Sequence, residues 1–381
     1  MGHLTPFLRI ASMLLSNNCS VTLFAAHPTV SATESTYTFL FLSTHPQLKH
    51  INRHVHLLYP FLSSASPSFS AIFSDFSLPS SITQVAADLA IPNYIVSATS
   101  VKFFSLMAYL PILTINIPGL TPLSILSIPT PFFDPNHLFT ALIVSNAPAF
   151  SEAKGIIINT FDWFEPETLA VVNSGKALSN PLPILPIGPL EPYELSKDQF
   201  QSLPWLDNQP EESVVYVSFG NRTAVSKDQI RELADGLERN GCRFLWVIKS
   251  SKVDKEDNQE LEDLLGKILA HPATGGFKNH CGWNSVMEAA SRGLPLLAWR
   301  QHGDQRVNAE AVANAGLGIW ARDWGWGVEL LVKGEEIERK IGEQMKNEKL
   351  RDRARKLGKR PGRLEGLVVV QTRCLWESLK F

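Results

Sequence analysis

Cysteine is scarce: the 381 residues hold four, Cys19, Cys242, Cys281 and Cys374. They are far apart and form no C-x-x-C pair, which excludes a disulfide scaffold and offers no zinc spacing, so no metal site is expected. An excess of one charge is also lacking. The 35 basic and 37 acidic side chains leave a net charge of −2, which gives no general attraction to nucleic acid or an anionic membrane. No basic n-region precedes the first apolar run, so no signal peptide is expected. Pro6 stands where a myristoylation signal at Gly2 would carry Ser or Thr. The expected location is cytoplasmic. With 44% hydrophobic residues, the chain has enough apolar surface for a core, which excludes global disorder.

Charge is unevenly distributed. Residues 1–190 carry 14 charged side chains, and residues 191–381 carry 58. The first half is therefore a membrane region or a globule with a large apolar pocket. No charge occurs between Lys102 and Asp134, a span long enough to cross a bilayer. Pro111, Asn116, Pro118, Gly119 and several serines interrupt it, which a lipid-exposed helix would not tolerate. A buried helix at 101–110 and a Pro/Ser loop at 111–131 are expected instead.

Strand-like and helical runs alternate. A helix at 4–15 precedes a strand at 20–25, then a strand at 70–73, a helix at 82–89 and a strand at 94–97. The run Gly-Ile-Ile-Ile-Asn at 155–159 reads as a buried strand, with a helix from 165 through 172. Residues 180–213, rich in proline, read as a linker. The alternation restarts with strands at 213–219 and 243–248 around a helix at 227–239. A helix at 284–290, a strand at 295–299 and helices at 306–315 and 334–345 follow. This pattern predicts an α/β protein of two doubly wound parallel sheets, with ligands at the carboxyl ends of the strands. The expected divisions are 1–180, a linker at 181–212, and 213–381.

The densest chemistry lies in residues 271–305. Gly275-Gly276 is expected to end a strand that leads to Asn279-His280-Cys281-Gly282, with a helix opening near Trp283-Asn284-Ser285. A glycine-preceded helix N-terminus presents backbone N–H groups and the positive end of a dipole to an anion. His280 beside it can donate to a phosphate oxygen. Glu288 lies four residues after Asn284 on the same helix face, and a carboxylate there suits ribose hydroxyls better than phosphate. Asp304 and Gln305 follow the next strand and suit sugar hydroxyls. These residues read as a nucleotide-sugar site; an ordinary βαβ unit with Trp and His in its core is the competing reading.

The segments H-C-G-W-N-S-x-x-E at 280–288, G-L-P at 293–295 and W-x-x-x-x-D-Q at 299–305 resemble the signature box of plant family 1 UDP-dependent glycosyltransferases. That resemblance implies the two-domain GT-B fold, with a C-terminal UDP-sugar domain and an N-terminal acceptor domain. It implies that His280, Gly282, Trp283, Asn284 and Ser285 surround the diphosphate, and that Glu288 holds the uridine ribose. Asp304 and Gln305 would hold the sugar, and Asn221 would take the place of a phosphate-binding Ser or Thr. Gly2-His3-Leu4-Thr5-Pro6 resembles the family's Gly-His-x-x-Pro turn, so His3 is the implied general base and Asp75 its carboxylate partner. Residues 134–137, 213–222 and 320–327 resemble the C-glycosyltransferase branch, whose members glucosylate flavonoid-type phenols. The implied reaction is direct and inverting, with UDP-glucose as donor, a small phenolic acceptor, no cofactor and a monomeric enzyme.

The chain also departs from that pattern. Glu262 stands where the family stacks a tryptophan on uracil, and Leu265 where it has glutamine, as though a helix, a strand and a loop before Lys267 were deleted. The family's first strand, which precedes the histidine turn, is missing. Loss of base stacking and a base hydrogen bond predicts donor binding weaker by about 2–4 kcal/mol. The expected activity is impaired. The alternative function is a non-catalytic glycosyltransferase-like relic that binds a small molecule or a partner.

Overall fold

The computed structural model describes residues 4–23, 55–110, 117–175, 183–190, 203–220, 225–248, 258–325 and 330–359. They belong to two compact units, one running to Leu190 and the other from Glu191 to Pro361.

The first unit begins with α1 (Leu4–Ser16), α2 (Tyr59–Ser64), β1 (Ile72–Asp75), α3 (Pro79–Asp88) and β2 (Asn93–Ser97). It continues with α4 (Val101–Tyr109), α5 (Leu138–Phe150), β3 (Gly155–Ile158), α6 (Pro166–Asn173) and β4 (Ile184–Pro186). The four strands form a parallel sheet in that order. β3 is buried along its whole length, as an interior parallel strand covered on both faces must be. Alternation along β1 separates its neighbours. Phe73 packs with Ile10 of α1, Val96 and Ile157, whereas Ile72 packs with Val55, Leu62, Ile82 and Val85.

Two expectations change here. No strand forms at 20–23, where Leu23 is 45% exposed; residues 24 and 25 lie outside the described residues. Strand propensity acts only where a neighbouring edge is available to pair with. The linker expected at 181–212 is interrupted, because Ile184–Pro186 pairs with β3. Pro186 is tolerated there because β4 is an edge strand.

Glu165 fastens this unit. Its carboxylate accepts the N–H groups of Val101 and Lys102 at 3.0 Å each, and the Thr160 hydroxyl at 3.3 Å. It thus places negative charge at the N-terminus of α4, where the helix dipole favours it. Burial nevertheless raises its pKa to about 7, against the lowering effect of those hydrogen bonds.

The second unit holds α7 (Pro204–Asp207), β5 (Val214–Ser218), α8 (Lys227–Asn240), β6 (Arg243–Trp246), α9 (Asn258–Ala270) and β7 (Thr274–Asn279). After these come α10 (Trp283–Arg292), β8 (Leu296–Ala298), α11 (Gln305–Ala315), β9 (Gly318–Trp320), α12 (Gly334–Lys346) and α13 (Glu348–Gly358). The parallel sheet has the order β6-β5-β7-β8-β9. Ser226 caps α8 by accepting the Gln229 N–H at 3.2 Å, and Gly241 ends that helix in the left-handed conformation.

The glycine pair expected to end a strand lies inside β7. Val214 pairs with Thr274 and Val215 with Gly276, so Gly275 is the extra residue of a bulge. A Cβ on Gly275 would collide with the Glu212 carbonyl oxygen, so glycine here admits a close backbone approach. Two residues beyond the pair, Lys278 is fully buried, its ammonium nitrogen 4.3 Å from the centre of the Trp299 ring and 5.1 Å from that of Trp324. Burial holds its pKa well below the ordinary lysine range. Residues 262 and 265 lie on α9, which runs unbroken to Ala270.

Candidate functional site

Two loops at the carboxyl ends of β7 and β8 carry most of the expected residues. The first turns from Asn279 into α10. Gly282 is the N-cap of α10 with extended backbone, and no side chain caps the helix. A helix that opens on glycine without a capping side chain suits an anionic acceptor. Cys281 adopts a left-handed φ of 64°. Its N–H donates to Asn279 Oδ1 at 3.0 Å, and its carbonyl accepts Asn308 Nδ2 at 3.1 Å.

The His280 ring lies between two glycines. A Cβ on Gly220 would approach its Cε1 to 2.6 Å, and one on Gly282 would approach its Nε2 to 2.6 Å. Gly220 itself has a φ of 73°. Burial, followed by the charge of His302, lowers the His280 pKa to about 4. At neutral pH the ring is therefore uncharged, with one nitrogen as donor and the other as acceptor.

In the second loop, Asp304 is the N-cap residue of α11, and its Oδ2 accepts Asn308 Nδ2 at 2.9 Å. The Gln305 side-chain carbonyl oxygen accepts the N–H groups of Gln301 and His302 at 2.8 and 3.0 Å. That oxygen shapes the loop, and the amide nitrogen lies 3.3 Å from His302 Nδ1. Trp283 is a core residue, 2% exposed, while Asn284, Ser285 and Glu288 are half-buried on α10. Asn221 lies outside the described residues.

Among the described residues, several buried polar atoms in these loops have no hydrogen-bond partner: Asn279 Nδ2, His280 Nδ1, Arg300 Nε, Asn308 Oδ1 and both amide atoms of Gln301. Each such atom costs about 1–3 kcal/mol if it stays unpaired. Their concentration at one end of one sheet fits a site built to hold a polar ligand. The sequence pattern names Gln301 among the polar residues of its loop without a role, and assigns none to Asn279 or Asn308. Asn308, four residues after Asp304 on one helix face, is within reach of the same spacing argument that picks out Glu288.

In the first unit, Asp75 is half-buried at the carboxyl end of β1. Its Oδ1 accepts the Ser77 N–H at 2.9 Å and also the Ser77 hydroxyl. His3 lies outside the described residues; α1 opens at the next residue, Leu4. Among the described residues no helix is long and apolar enough to cross a membrane.

Two helix-covered parallel sheets are the architecture of the GT-B glycosyltransferases. A family model described as UDP-glucoronosyl and UDP-glucosyl transferase matches residues 136–323. UDP-glycosyltransferase 708C1 of Fagopyrum esculentum is 46% identical, over 94% of this chain and 88% of that protein. UDP-glycosyltransferase CGT of Oryza sativa subsp. japonica is 39% identical, over 94% and 89%. The crystal structure of LpCGTa in complex with UDP superposes with a TM-score of 0.82 at 38% identity, covering 100% of this chain and 97% of that one. Medicago truncatula UGT71G1, solved with UDP-glucose, gives 0.79 at 26% identity, covering 100% and 96%. The chain belongs to the UDP-glycosyltransferase family. Its alignment with 708C1 runs over 410 positions, more than its own 381 residues, so it lacks internal segments that this relative has.

Proposed function

We propose that the chain transfers glucose from UDP-glucose to a flavonoid-type phenol, forming a C-glycoside in the cytoplasm as a monomer. The observation that carries the donor half of this reading is the seat of His280 between Gly220 and Gly282, beside the uncapped N-terminus of α10. A neutral imidazole and the helix N–H groups together suit a diphosphate. Glu288 would accept from the ribose hydroxyls, and Asp304 from the sugar hydroxyls. The relatives named CGT and the solved complexes with UDP and UDP-glucose support the same reading.

For the chemistry, His3 would remove the phenolic proton, with Asp75 orienting and stabilising the imidazolium. The phenolate delocalises its charge onto the ortho carbon. That carbon forms a bond to the anomeric carbon as the anomeric C–O bond to UDP breaks, with inversion. Loss of the ring proton to water, with the imidazolium returning its proton to the phenolic oxygen, then restores aromaticity. Donor affinity is expected to be reduced, because Glu262 and Leu265 replace a base-stacking tryptophan and a glutamine.

Incubation with UDP-glucose and a phloretin-type phenol, read by product mass, tests the proposal. A hexosyl product that survives acid hydrolysis supports C-transfer, since a C–C bond resists acid. An acid-labile product would replace C-transfer by O-transfer. No product together with no UDP binding would leave the non-catalytic reading.

A further inference from the structure

Asn308 sits at a junction for which the signature segment gives no role. It is fully buried in the first turn of α11, just beyond the segment that ends at Gln305. Its amide nitrogen has two hydrogens and two acceptors: the Cys281 carbonyl at 3.1 Å and Asp304 Oδ2 at 2.9 Å. The first acceptor belongs to the turn that carries His280, and the second is the carboxylate at the head of α11. One side chain therefore ties the loop after β7 to the loop after β8.

The turn needs holding. A left-handed φ at a residue with a Cβ costs about 1–2 kcal/mol, and Cys281 has such a φ. Both backbone polar groups of Cys281 are engaged by asparagine side chains, the N–H by Asn279 and the carbonyl by Asn308. The bond to Asp304 engages its Oδ2. Loss of these donors frees Asp304 from the turn, while the turn itself keeps the bond from Cys281 N–H to Asn279.

We infer that Asn308 is a positioning residue that sets the phosphate-binding turn and the sugar-facing carboxylate in register, so that the sugar adds to the affinity of UDP. This rests on the UDP-sugar reading above. It concerns the difference between UDP and UDP-glucose binding, which a residue that only holds the fold together does not alter selectively.

The test is calorimetric, on the full chain, with UDP and UDP-glucose as separate titrants. Asn308→Asp keeps the shape and removes both donors. Asn308→Ser keeps one donor and adds no charge, and serves if the aspartate variant fails to fold. Melting curves first establish that each variant is folded at the assay temperature. The expected result is that UDP-glucose affinity falls about 10- to 100-fold while UDP affinity falls less than about fivefold. In an Asp304→Ala background, Asn308→Ser should no longer change the ratio of the two affinities, because the carboxylate it positions is gone. An unchanged ratio in a folded single variant overturns the inference and leaves the UDP-sugar reading standing. A ratio that shifts equally with and without Asp304 does the same. Failure of the unsubstituted chain to bind either titrant overturns the UDP-sugar reading, and this inference with it.

Discussion

The first sheet has Asp75 at the carboxyl end of β1 and Glu165 beyond β3, in a unit with two large apolar clusters and buried polar groups beside them. The second ends in two loops crowded with amide, imidazole and guanidinium groups, several with buried atoms lacking a partner. The same α/β logic thus presents two different surfaces. Apolar clusters beside an acid at a strand end suit an aromatic acceptor, which needs a proton removed. A polar unit suits a donor with two phosphates and many hydroxyls. The difference in charge between the two halves of the sequence runs in the same direction as the proposed roles.

The contrast between the units is most exposed to challenge at Asp75. Asp75→Ala should lower the transfer rate by about 100-fold or more, the usual scale for general-base assistance, and leave UDP affinity within about twofold. His3→Ala should behave the same way. Product mass against time and a UDP titration check both halves; a large loss of UDP affinity in either variant would erase the division.

The next largest effect is the pH dependence of stability, which should have opposite signs in the two units. Glu165 has a folded pKa of about 7, above its ordinary 4.5, so the folded state holds its proton longer than the unfolded chain. Its contribution is fully present below pH about 4.5 and is lost as pH rises towards about 7, on the order of 3 kcal/mol for a shift of this size. His280 has a folded pKa of about 4, below its ordinary 6.5. Its contribution is present above pH about 6.5 and is lost as pH falls towards about 4. Amide exchange at pH 5 and pH 7, corrected for the intrinsic pH dependence of exchange, should show β2 and β3 better protected at the lower pH and β7 better protected at the higher. Glu165→Gln should flatten only the first trend.

Lys278 is a smaller lever, confined to the second unit. Its amine is buried against Trp299 and Trp324 with no acceptor for its hydrogens among the described residues. Lys278→Met keeps much of the volume and removes the buried amine, and should stabilise that unit by about 1–4 kcal/mol. A melt monitored in each unit decides it; a lower melting temperature would show that the cation–π contacts outweigh the burial cost.

The smallest expected effect is at Gly282. Its backbone conformation suits alanine, but the added Cβ would approach His280 Nε2 to 2.6 Å. Gly282→Ala should displace the ring and weaken UDP binding about tenfold, an overpacking cost near ~1.4 kcal/mol. Unchanged affinity in a titration would mean that the ring's seat does not matter to the donor.

Much of this fold is legible in the sequence because β-branched runs such as Val-Val-Tyr-Val at 214–217 and Ile-Ile-Ile at 156–158 leave little alternative to a buried strand. Two short strands are not legible. β4 holds three residues ending in Pro186, and β9 holds three beginning with Gly318. Their pairing comes from the neighbouring strand, which local pattern does not reveal. Gly275-Gly276 misleads because glycine weakens a strand interior, and only the close approach of the Glu212 backbone explains its place in a bulge. Within the site, helix spacing and the family pattern point to His280 and Glu288. Asn308 lies outside the family pattern and is reachable only by its spacing from Asp304, because its bonds join two loops that meet in space. Pattern assigns Gln305 to the sugar and does not reveal that its side-chain carbonyl oxygen accepts from Gln301 and His302.

The donor site stands or falls on titration of UDP into the purified chain and into folded His280→Ala. The unsubstituted chain should bind saturably, more weakly than low micromolar because Glu262 and Leu265 contribute no base stacking, and His280→Ala should show no measurable binding. Equal binding by the two proteins would contradict this assignment, as would tight, low-micromolar binding by the unsubstituted chain.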